Sequence, residues 1–177
     1  MAKIAQVGRH AYHGRMDKKF LVEQLSDRLR ELSATAKKAS QAAAEVARDG
    51  ATPAEKREDA RTALEFGGLA KGQKERADRL AAELSTLAIF NPKKLPADSP
   101  ITVGAIVEVE DESLGRTFFL APVGAGIELT GPGGDGFLSV VTPVSPIGKA
   151  VLGRKVGDTV EVVIQNEPRE WTITYVE

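Results

Sequence analysis

The sequence predicts an α+β fold, in which an N-terminal antiparallel two-helix coiled-coil hairpin precedes a small β domain with one short helix. Residues 17 to about 90 are rich in Ala, Leu, Lys, Arg and Glu, and their apolar residues recur at alternating steps of four and three, as in a coiled coil. Residues 101–177 alternate apolar and polar side chains and are rich in β-branched residues, as strands are. We therefore expect a hairpin domain at 1–90, a proline-rich linker at 91–100 and a β domain at 101–177.

The first helix of the hairpin is indicated by a seam of small and apolar residues. The seam residues are Leu25, Leu29, Leu32, Ala36, Ala39, Ala43 and Val46. A helix from Asp17 to Arg48 would be roughly 48 Å long at 1.5 Å per residue. The seam shrinks to alanine toward the loop, so we expect a slender tip.

The second helix repeats the same spacing. Its seam residues are Ala63, Phe66, Ala70, Gln73, Ala77, Leu80, Leu84 and Leu87. The sequence Thr52-Pro53-Ala54-Glu55 indicates its start, with Thr52 as N-cap, Pro53 in the first turn and Glu55 at the reciprocal capping position.

A loop at residues 49–52 fixes the register that we expect between the two helices. It pairs Leu32 with Ala70 and Ala36 with Phe66. Glycine costs about 1 kcal/mol relative to alanine within a helix and permits a kink. Three glycines interrupt the second helix: Gly67, Gly68 and Gly72.

The β domain contains one helical phrase, "SPIGKAVLG", between two β-rich stretches. Ser145 suits the N-cap, Pro146 the first helical position, and Gly153 the left-handed position that closes the helix. The remaining strands are short and separated by Gly-rich turns. We therefore expect a mostly antiparallel sheet with one short helix.

Composition excludes several classes of protein. The 24 Lys and Arg residues nearly balance the 25 Asp and Glu residues, so net charge directs the chain to neither nucleic acid nor membrane. The absence of cysteine excludes disulfides, a thiol nucleophile and cysteine-based metal sites. No apolar segment is long enough for a signal peptide or a membrane span. We expect a soluble, cytoplasmic protein without a membrane partner.

The order of long hairpin, proline-rich linker and small β domain resembles the bacterial Gre-type transcript cleavage factors, the GreA/GreB-like factors of the RNA polymerase secondary channel. The resemblance is most specific from Ser145 to Asp158, which fits the family pattern S-P-I-x-x-A-(L/V)-x-G-x-x-x-G-D. It implies an FKBP-like C-terminal domain that docks on the β′ subunit of RNA polymerase, at the rim of the secondary channel. The hairpin would then bring its tip to the polymerase active centre.

The resemblance makes Ser145, Pro146 and Ile147 the candidate polymerase-docking residues. They form a rigid corner with an apolar side chain. The alternative is structural, with Pro146 starting the helix and Ile147 belonging to the core. Both interpretations remain open at the level of the sequence.

The hairpin tip departs from the family pattern G-D-L-x-E-N-A-E-Y. In cleaving members, two acidic residues at the tip help to hold a second Mg²⁺ that activates water for RNA hydrolysis. Here Thr52 stands in place of the aspartate, and a hydroxyl is a poor Mg²⁺ ligand beside a carboxylate. The remaining acidic candidates for a catalytic role at the tip are Glu55, Asp49, Glu58 and Asp59, with Glu55 as the metal candidate.

Each of these acids also has a structural interpretation. Glu55 suits a capping box and the helix dipole, and Glu58 and Asp59 suit a solvated face. We therefore expect a regulator that modulates or inhibits transcription without strong cleavage stimulation. Such a regulator has no cofactor of its own and shares at most the Mg²⁺ of the polymerase. The alternative is a factor that stimulates the polymerase's own Mg²⁺-dependent cleavage in backtracked complexes.

A basic segment precedes and begins the hairpin. The resemblance implies contacts to nascent RNA here, and the candidates are Arg9, Arg15, Lys18 and Lys19, since long cationic side chains suit phosphate. The alternative is the solvated face of a charged helix. His10 and His13 lack the cysteine or acidic cluster that a metal site would need.

Two further functions compete with polymerase binding. An FKBP-like prolyl isomerase or chaperone would need an aromatic pocket, for which this half offers Phe118, Phe119, Phe137, Trp171 and Tyr175. A coiled coil that dimerises through its seam is disfavoured by the antiparallel register within one chain. We expect a monomer that is not itself an enzyme.

Overall fold

The computed structural model confirms the α+β class and describes residues 17–49, 58–96, 98–111, 115–131, 137–164 and 167–177. Two long helices precede a six-stranded sheet that carries one short helix. In chain order the elements are α1 (Lys18–Asp49), α2 (Glu58–Ala88), β1 (Ile106–Glu110), β2 (Gly115–Leu120), β3 (Glu128–Thr130), β4 (Phe137–Val141), α3 (Pro146–Val151), β5 (Thr159–Ile164) and β6 (Glu167–Val176).

The chain divides into two compact units. One is the hairpin, Leu25–Ile89, and the other joins residues 17–24 to Phe90–Glu177. The first turns of α1 are therefore part of the β domain's unit. Among the described residues, no helix has the apolar length that crossing a membrane requires.

The buried stripe of α1 follows the predicted seam in part. The buried residues of this helix within the hairpin unit are Leu25, Leu29, Ser33, Ala36 and Ala43. The prediction was wrong at Leu32, Ala39 and Val46, which are exposed. A helix has 3.6 residues per turn, so a strict 3.5-residue seam drifts around it. In those turns the residue one position later faces inward instead: Ser33 is buried, and Ser40 and Ala47 are half-buried.

The predicted seam of α2 is confirmed. Ala77 and Leu87 are buried, and the other six seam residues are half-buried while most of their neighbours are exposed. The helix continues without a break through its three glycines.

The predicted register between α1 and α2 was wrong. The Ser40 hydroxyl donates a hydrogen bond of 2.9 Å to the Ala70 carbonyl oxygen, whereas the sequence paired Ala70 with Leu32, about two helical turns away. The prediction depended on an assumed loop at 49–52, and α1 extends to Asp49. The predicted cap from Thr52 to Glu55 lies outside the described residues.

The sheet has the strand order β3-β4-β2-β1-β6-β5. Every neighbouring pair is antiparallel except β2 and β4, which are parallel. The prediction of a mostly antiparallel sheet is therefore confirmed. The parallel pair arises because β3 takes the edge and β4 returns between it and β2.

Both faces of the sheet are covered. One face packs with α3 around Phe118, Leu120, Val151 and Ile173 in a single apolar cluster. On β2, Phe119 points the other way and its ring centroid lies 6.5 Å from that of Phe90. Successive residues of a strand face opposite sides of the sheet. Phe118 therefore packs on the face that carries α3, and Phe119 packs on the opposite face.

The segment that joins α2 to the sheet lies against the β domain. Leu95 packs on the apolar cluster, and the Lys18 ammonium donates a hydrogen bond of 3.0 Å to the Lys93 carbonyl. Gly104 has φ +101°, and a Cβ there would lie 3.1 Å from the Pro92 Cβ. Glycine is therefore required at 104 by its backbone conformation and by its close approach to Pro92.

The base of α1 is tied to the edge strand β3. The Gln24 amide nitrogen donates to the Thr130 carbonyl at 2.9 Å, and the Thr130 amide donates to the Gln24 side-chain oxygen at 2.9 Å. One side-chain amide thus satisfies both backbone groups of Thr130, as a neighbouring strand would.

The short helix α3 begins and ends as the sequence predicts. Ser145 is the N-cap, and its hydroxyl oxygen accepts the Gly148 amide proton at 3.1 Å. Pro146 stands in the first turn, and Gly153 has φ +78° just after Leu152, the C-cap. The Gly153 amide then donates to the Ile101 carbonyl at 2.8 Å, which connects the end of the helix to the segment before β1.

Gly148→Ala should destabilise the β domain by about 2–3 kcal/mol. A Cβ at 148 would overlap the Thr142 carbonyl oxygen, and this overlap outweighs the gain of about 1 kcal/mol that alanine brings to a helix. Urea unfolding followed by the emission of Trp171, the one tryptophan of the chain, measures the loss. An unchanged unfolding midpoint would contradict the predicted overlap.

Gly68→Ala is the matched substitution in the hairpin, and it should raise stability by about 1 kcal/mol. A Cβ at 68 meets no atom within 4 Å, so the helix gains propensity without a clash. Thermal unfolding monitored by far-UV circular dichroism tests this, and a lowered midpoint would show that α2 requires glycine at this position.

Candidate functional site

A pocket of about 250 Å³ opens on the face of the sheet that carries α3. It lies between the start of α3 and the strands β2, β4, β5 and β6. The lining residues are Arg116, Thr117, Phe118, Ser139, Val141, Pro146, Ile147, Val162, Val163 and Trp171.

Strand alternation explains how the pocket is built. Arg116 and Phe118 are two residues apart on β2 and therefore face the same side. Phe118 pairs with Ser139 on β4, and Trp171 pairs with Val160 on β5. Most of the wall is apolar, so the pocket suits an apolar group.

The polar feature of the pocket is the pair of Arg116 and Trp171. The guanidinium carbon of Arg116 lies 5.4 Å from the centroid of the Trp171 ring, within the range of a cation–π interaction. Arg116 is exposed, whereas Trp171 is 3% exposed. Among the described lining residues, Arg116 is the one that carries a charge.

The indole N–H of Trp171 is buried without a hydrogen-bond partner. It is the one side-chain nitrogen or oxygen atom of this kind among the residues that the structure describes. Leaving a buried donor unpaired costs about 1–3 kcal/mol. The burial of Trp171 therefore leaves one donor of its side chain unpaired.

The three predicted docking residues lie together at the start of α3, in different environments. The Ser145 hydroxyl is committed to the fold, because it caps Gly148 and donates to the Thr142 carbonyl at 2.8 Å. Pro146 is exposed and Ile147 is half-buried, and both line the pocket. Ile147 also packs against the apolar cluster, so it belongs to the core and to the pocket wall at once.

The acidic tip candidates lie near the ends of the two long helices. Asp49 is the last residue of α1, and Glu58 and Asp59 begin α2. Glu55 lies outside the described residues. Within the described ranges, no group of three or more acidic or histidine side chains is arranged to hold a metal ion. The participation of Glu55 in a Mg²⁺ site stays a prediction.

The basic candidates are not equivalent. Lys18 is 8% exposed, and burial lowers the pKa of its ammonium, partly offset by the Glu177 carboxylate. Its ammonium is engaged with the Lys93 carbonyl, whereas Lys19 is exposed. Arg9 and Arg15 lie outside the described residues.

The aromatic residues named for an isomerase pocket separate into groups. Phe118 and Trp171 line the pocket, whereas Phe119 packs with Phe90 on the opposite face. Phe137 is 75% exposed and Tyr175 is 38% exposed. Two of the five therefore meet at the site.

Sequence reasoning missed Arg116. Its signal is its spacing, because it stands two residues before Phe118 in a strand of period two and so shares the face of that aromatic ring. The contact between Arg116 and Trp171 could not be predicted from neighbouring residues in the sequence, because it depends on the order of β2 and β6 in the sheet.

Comparisons with known proteins bear on the β domain. Residues 96–177 match the family model described as transcription elongation factor, GreA/GreB, C-terminal. No curated protein gives a significant match to the sequence.

Solved structures give weaker similarities. Gfh1 of Thermus thermophilus, GreA factor homolog 1, is 20% identical over 86% of this chain and 94% of its own, with a TM-score of 0.37. Gfh1 of Thermus aquaticus is 21% identical over 88% and 92%, with a TM-score of 0.38. A GreA/GreB elongation factor from Nitrosomonas europaea is 22% identical over 56% and 78%, with a TM-score of 0.35.

TM-scores and identities of this size carry no conclusion about the whole chain. The family model, in contrast, spans all of β1 to β6 and includes the Ser145–Asp158 phrase on which the resemblance depended. The β domain therefore matches the C-terminal domain of the GreA/GreB transcription elongation factors.

Proposed function

We propose that this protein regulates transcription elongation by binding RNA polymerase at the secondary channel. In this proposal, the β domain docks on the β′ subunit at the channel rim and the hairpin tip extends to the active centre. The observation that carries the proposal is the apolar pocket beside the start of α3. Pro146 and Ile147 belong to the Ser145–Asp158 motif of the Gre family and form part of the pocket wall.

The surroundings of the pocket support a protein partner. Val163 is 54% exposed on its wall, and Val144, which precedes the α3 cap, is 77% exposed. Leu152 at the other end of α3 is 42% exposed. Apolar side chains exposed around a concave surface are typical of protein-binding sites.

The dimensions of the hairpin suit entry into a channel. Helix α1 runs through the hairpin unit from Leu25 to Asp49, which corresponds to roughly 38 Å. Its seam toward the tip consists of alanine and serine, so the two helices can lie close together there. A hairpin of two such helices presents a small cross-section.

The composition of the tip favours a regulator that occupies the channel over one that stimulates strong cleavage. Thr52 offers a hydroxyl where the cleaving members of the family carry a carboxylate, and Mg²⁺ prefers charged oxygen ligands. On this proposal the protein is a monomer with no cofactor of its own and no catalytic activity of its own, and nascent RNA contacts would involve Arg9, Arg15 and Lys19 in preference to the buried Lys18.

The alternative within the same class is a cleavage factor. There, Glu55 and one of the nearby acids Asp49, Glu58 or Asp59 would hold a Mg²⁺ shared with the polymerase, and the polymerase active centre would cut the RNA. The two versions differ only at the tip and share the docking site.

A second class is supported by one observation, the meeting of Phe118 and Trp171 in the pocket. An FKBP-like prolyl isomerase or chaperone would bind a proline-containing peptide there. A peptidyl-prolyl turnover assay on the full chain separates this function from polymerase docking, since docking predicts no turnover.

The first test is RNA cleavage in a backtracked elongation complex of purified bacterial RNA polymerase. We expect little cleavage with this protein alone, and suppression of cleavage when it competes with a cleaving Gre factor. Cleavage by the protein alone that Glu55→Ala abolishes would instead establish the cleavage-factor alternative. The absence of both effects would contradict polymerase binding.

The docking surface is tested by Ile147→Glu in the same competition. A charge in the apolar wall should weaken apparent affinity for the polymerase at least about tenfold, equivalent to roughly 1.4 kcal/mol. Val156→Glu is the matched control, because Val156 is 47% exposed and does not line the pocket. Trp171 emission verifies that both variants are folded, and equal affinities of the folded variants would contradict docking through this pocket.

A further inference from the structure

We propose that Arg116 determines which segment the pocket accepts, by pairing with a carboxylate that neighbours an apolar side chain seated in the pocket. This inference rests on the proposed function, in which the segment belongs to RNA polymerase. Arg116 acts here as a specificity residue at the pocket entrance.

The position of Arg116 is set by its neighbours on the sheet. Its backbone pairs with Val109 on β1, and its guanidinium carbon lies 5.4 Å from the centroid of the Trp171 ring. This cation–π contact places the charge beside the ring. The guanidinium has five N–H donors, and none of them donates to a side chain of the described residues.

Within the described residues, Arg116 has no ion pair or side-chain hydrogen bond. Arg169 on β6, in contrast, lies 3.6 Å from the Asp111 carboxylate and 3.7 Å from that of Glu167. Among the described residues, no acidic side chain pairs with the cation at the pocket.

The chemistry of the wall favours an occupant with a negative charge. Among the described residues that line the pocket, none is acidic and Arg116 is the one with a charge. The planar fork of donors on arginine matches a carboxylate in a charge-assisted, bidentate pair.

The size of the pocket favours a side chain over a cofactor. Its volume of about 250 Å³ is below the roughly 300–1,000 Å³ of small-molecule sites. A single large apolar side chain fits, with the carboxylate at the entrance. The occupant is therefore a protein segment that carries an aliphatic or aromatic residue next to Asp or Glu.

Equilibrium binding to purified bacterial core RNA polymerase, measured over a series of salt concentrations, tests the role of Arg116. Arg116→Gln should bind about tenfold more weakly at low salt and lose part of the salt dependence. Arg116→Lys should retain the salt dependence with an intermediate affinity, because it keeps the charge without the planar fork. Arg154→Gln, an exposed arginine outside the pocket, should bind like the wild type.

The outcomes separate this inference from the proposed function. If the wild-type protein does not bind the polymerase, the proposed function and the role of Arg116 are both contradicted. A wild-type protein that binds, with Arg116→Gln equal to it in affinity and salt dependence, overturns the role of Arg116 alone. Urea unfolding followed by Trp171 emission verifies that the variants are folded.

Photo-crosslinking identifies the occupant directly. Val163→p-benzoylphenylalanine places the crosslinker on the pocket wall, and mass spectrometry then reads the captured polymerase peptide. We expect an aliphatic or aromatic residue within one helical turn of Asp or Glu. A captured peptide without an acidic residue at that distance would overturn the proposal.

Discussion

The position of α3 in the C-terminal unit depends on two hydrogen bonds that the Thr142 carbonyl oxygen accepts. This oxygen accepts the Ser145 amide at 3.0 Å and the Ser145 hydroxyl at 2.8 Å, while the same hydroxyl caps the Gly148 amide. The helix can pass this close only because Gly148 has no side chain. The turn thereby sets where α3 lies on the sheet, and so forms one wall of the pocket.

Features that depend on neighbouring residues could be predicted from the sequence. The limits of α3 followed from Ser145, Pro146 and Gly153, because capping is decided within a few residues. The α2 seam followed from its periodicity. The register of the hairpin could not be predicted, because it depends on the loop and on a Ser40 hydroxyl that an apolar pattern ignores. Pro146 and Ile147, which the sequence singled out for docking, line the pocket, whereas Arg116 was missed because its place beside Trp171 depends on the order of the strands.

Folding and recognition share residues at the pocket. Ser145 is occupied by the cap, so substitution there would change the shape of the pocket wall before it changed any contact with a partner. Ile147 divides its surface between the core and the pocket. Arg116 is not part of the apolar cluster. If Arg116 selects the partner as proposed, the preference can change at this position without disturbing the core.

The pairing of Gln24 with Thr130 has a consequence for self-association. The two edges of the sheet are β3 and β5, and an unpaired edge is a template on which another chain can add a strand. Gln24 occupies both backbone groups of Thr130 with a side chain, which cannot propagate a ladder. On β5, the exposed Glu161 places a charge along the open edge. The first turns of α1 thus protect one border of the sheet from aggregation, and electrostatic repulsion protects the other.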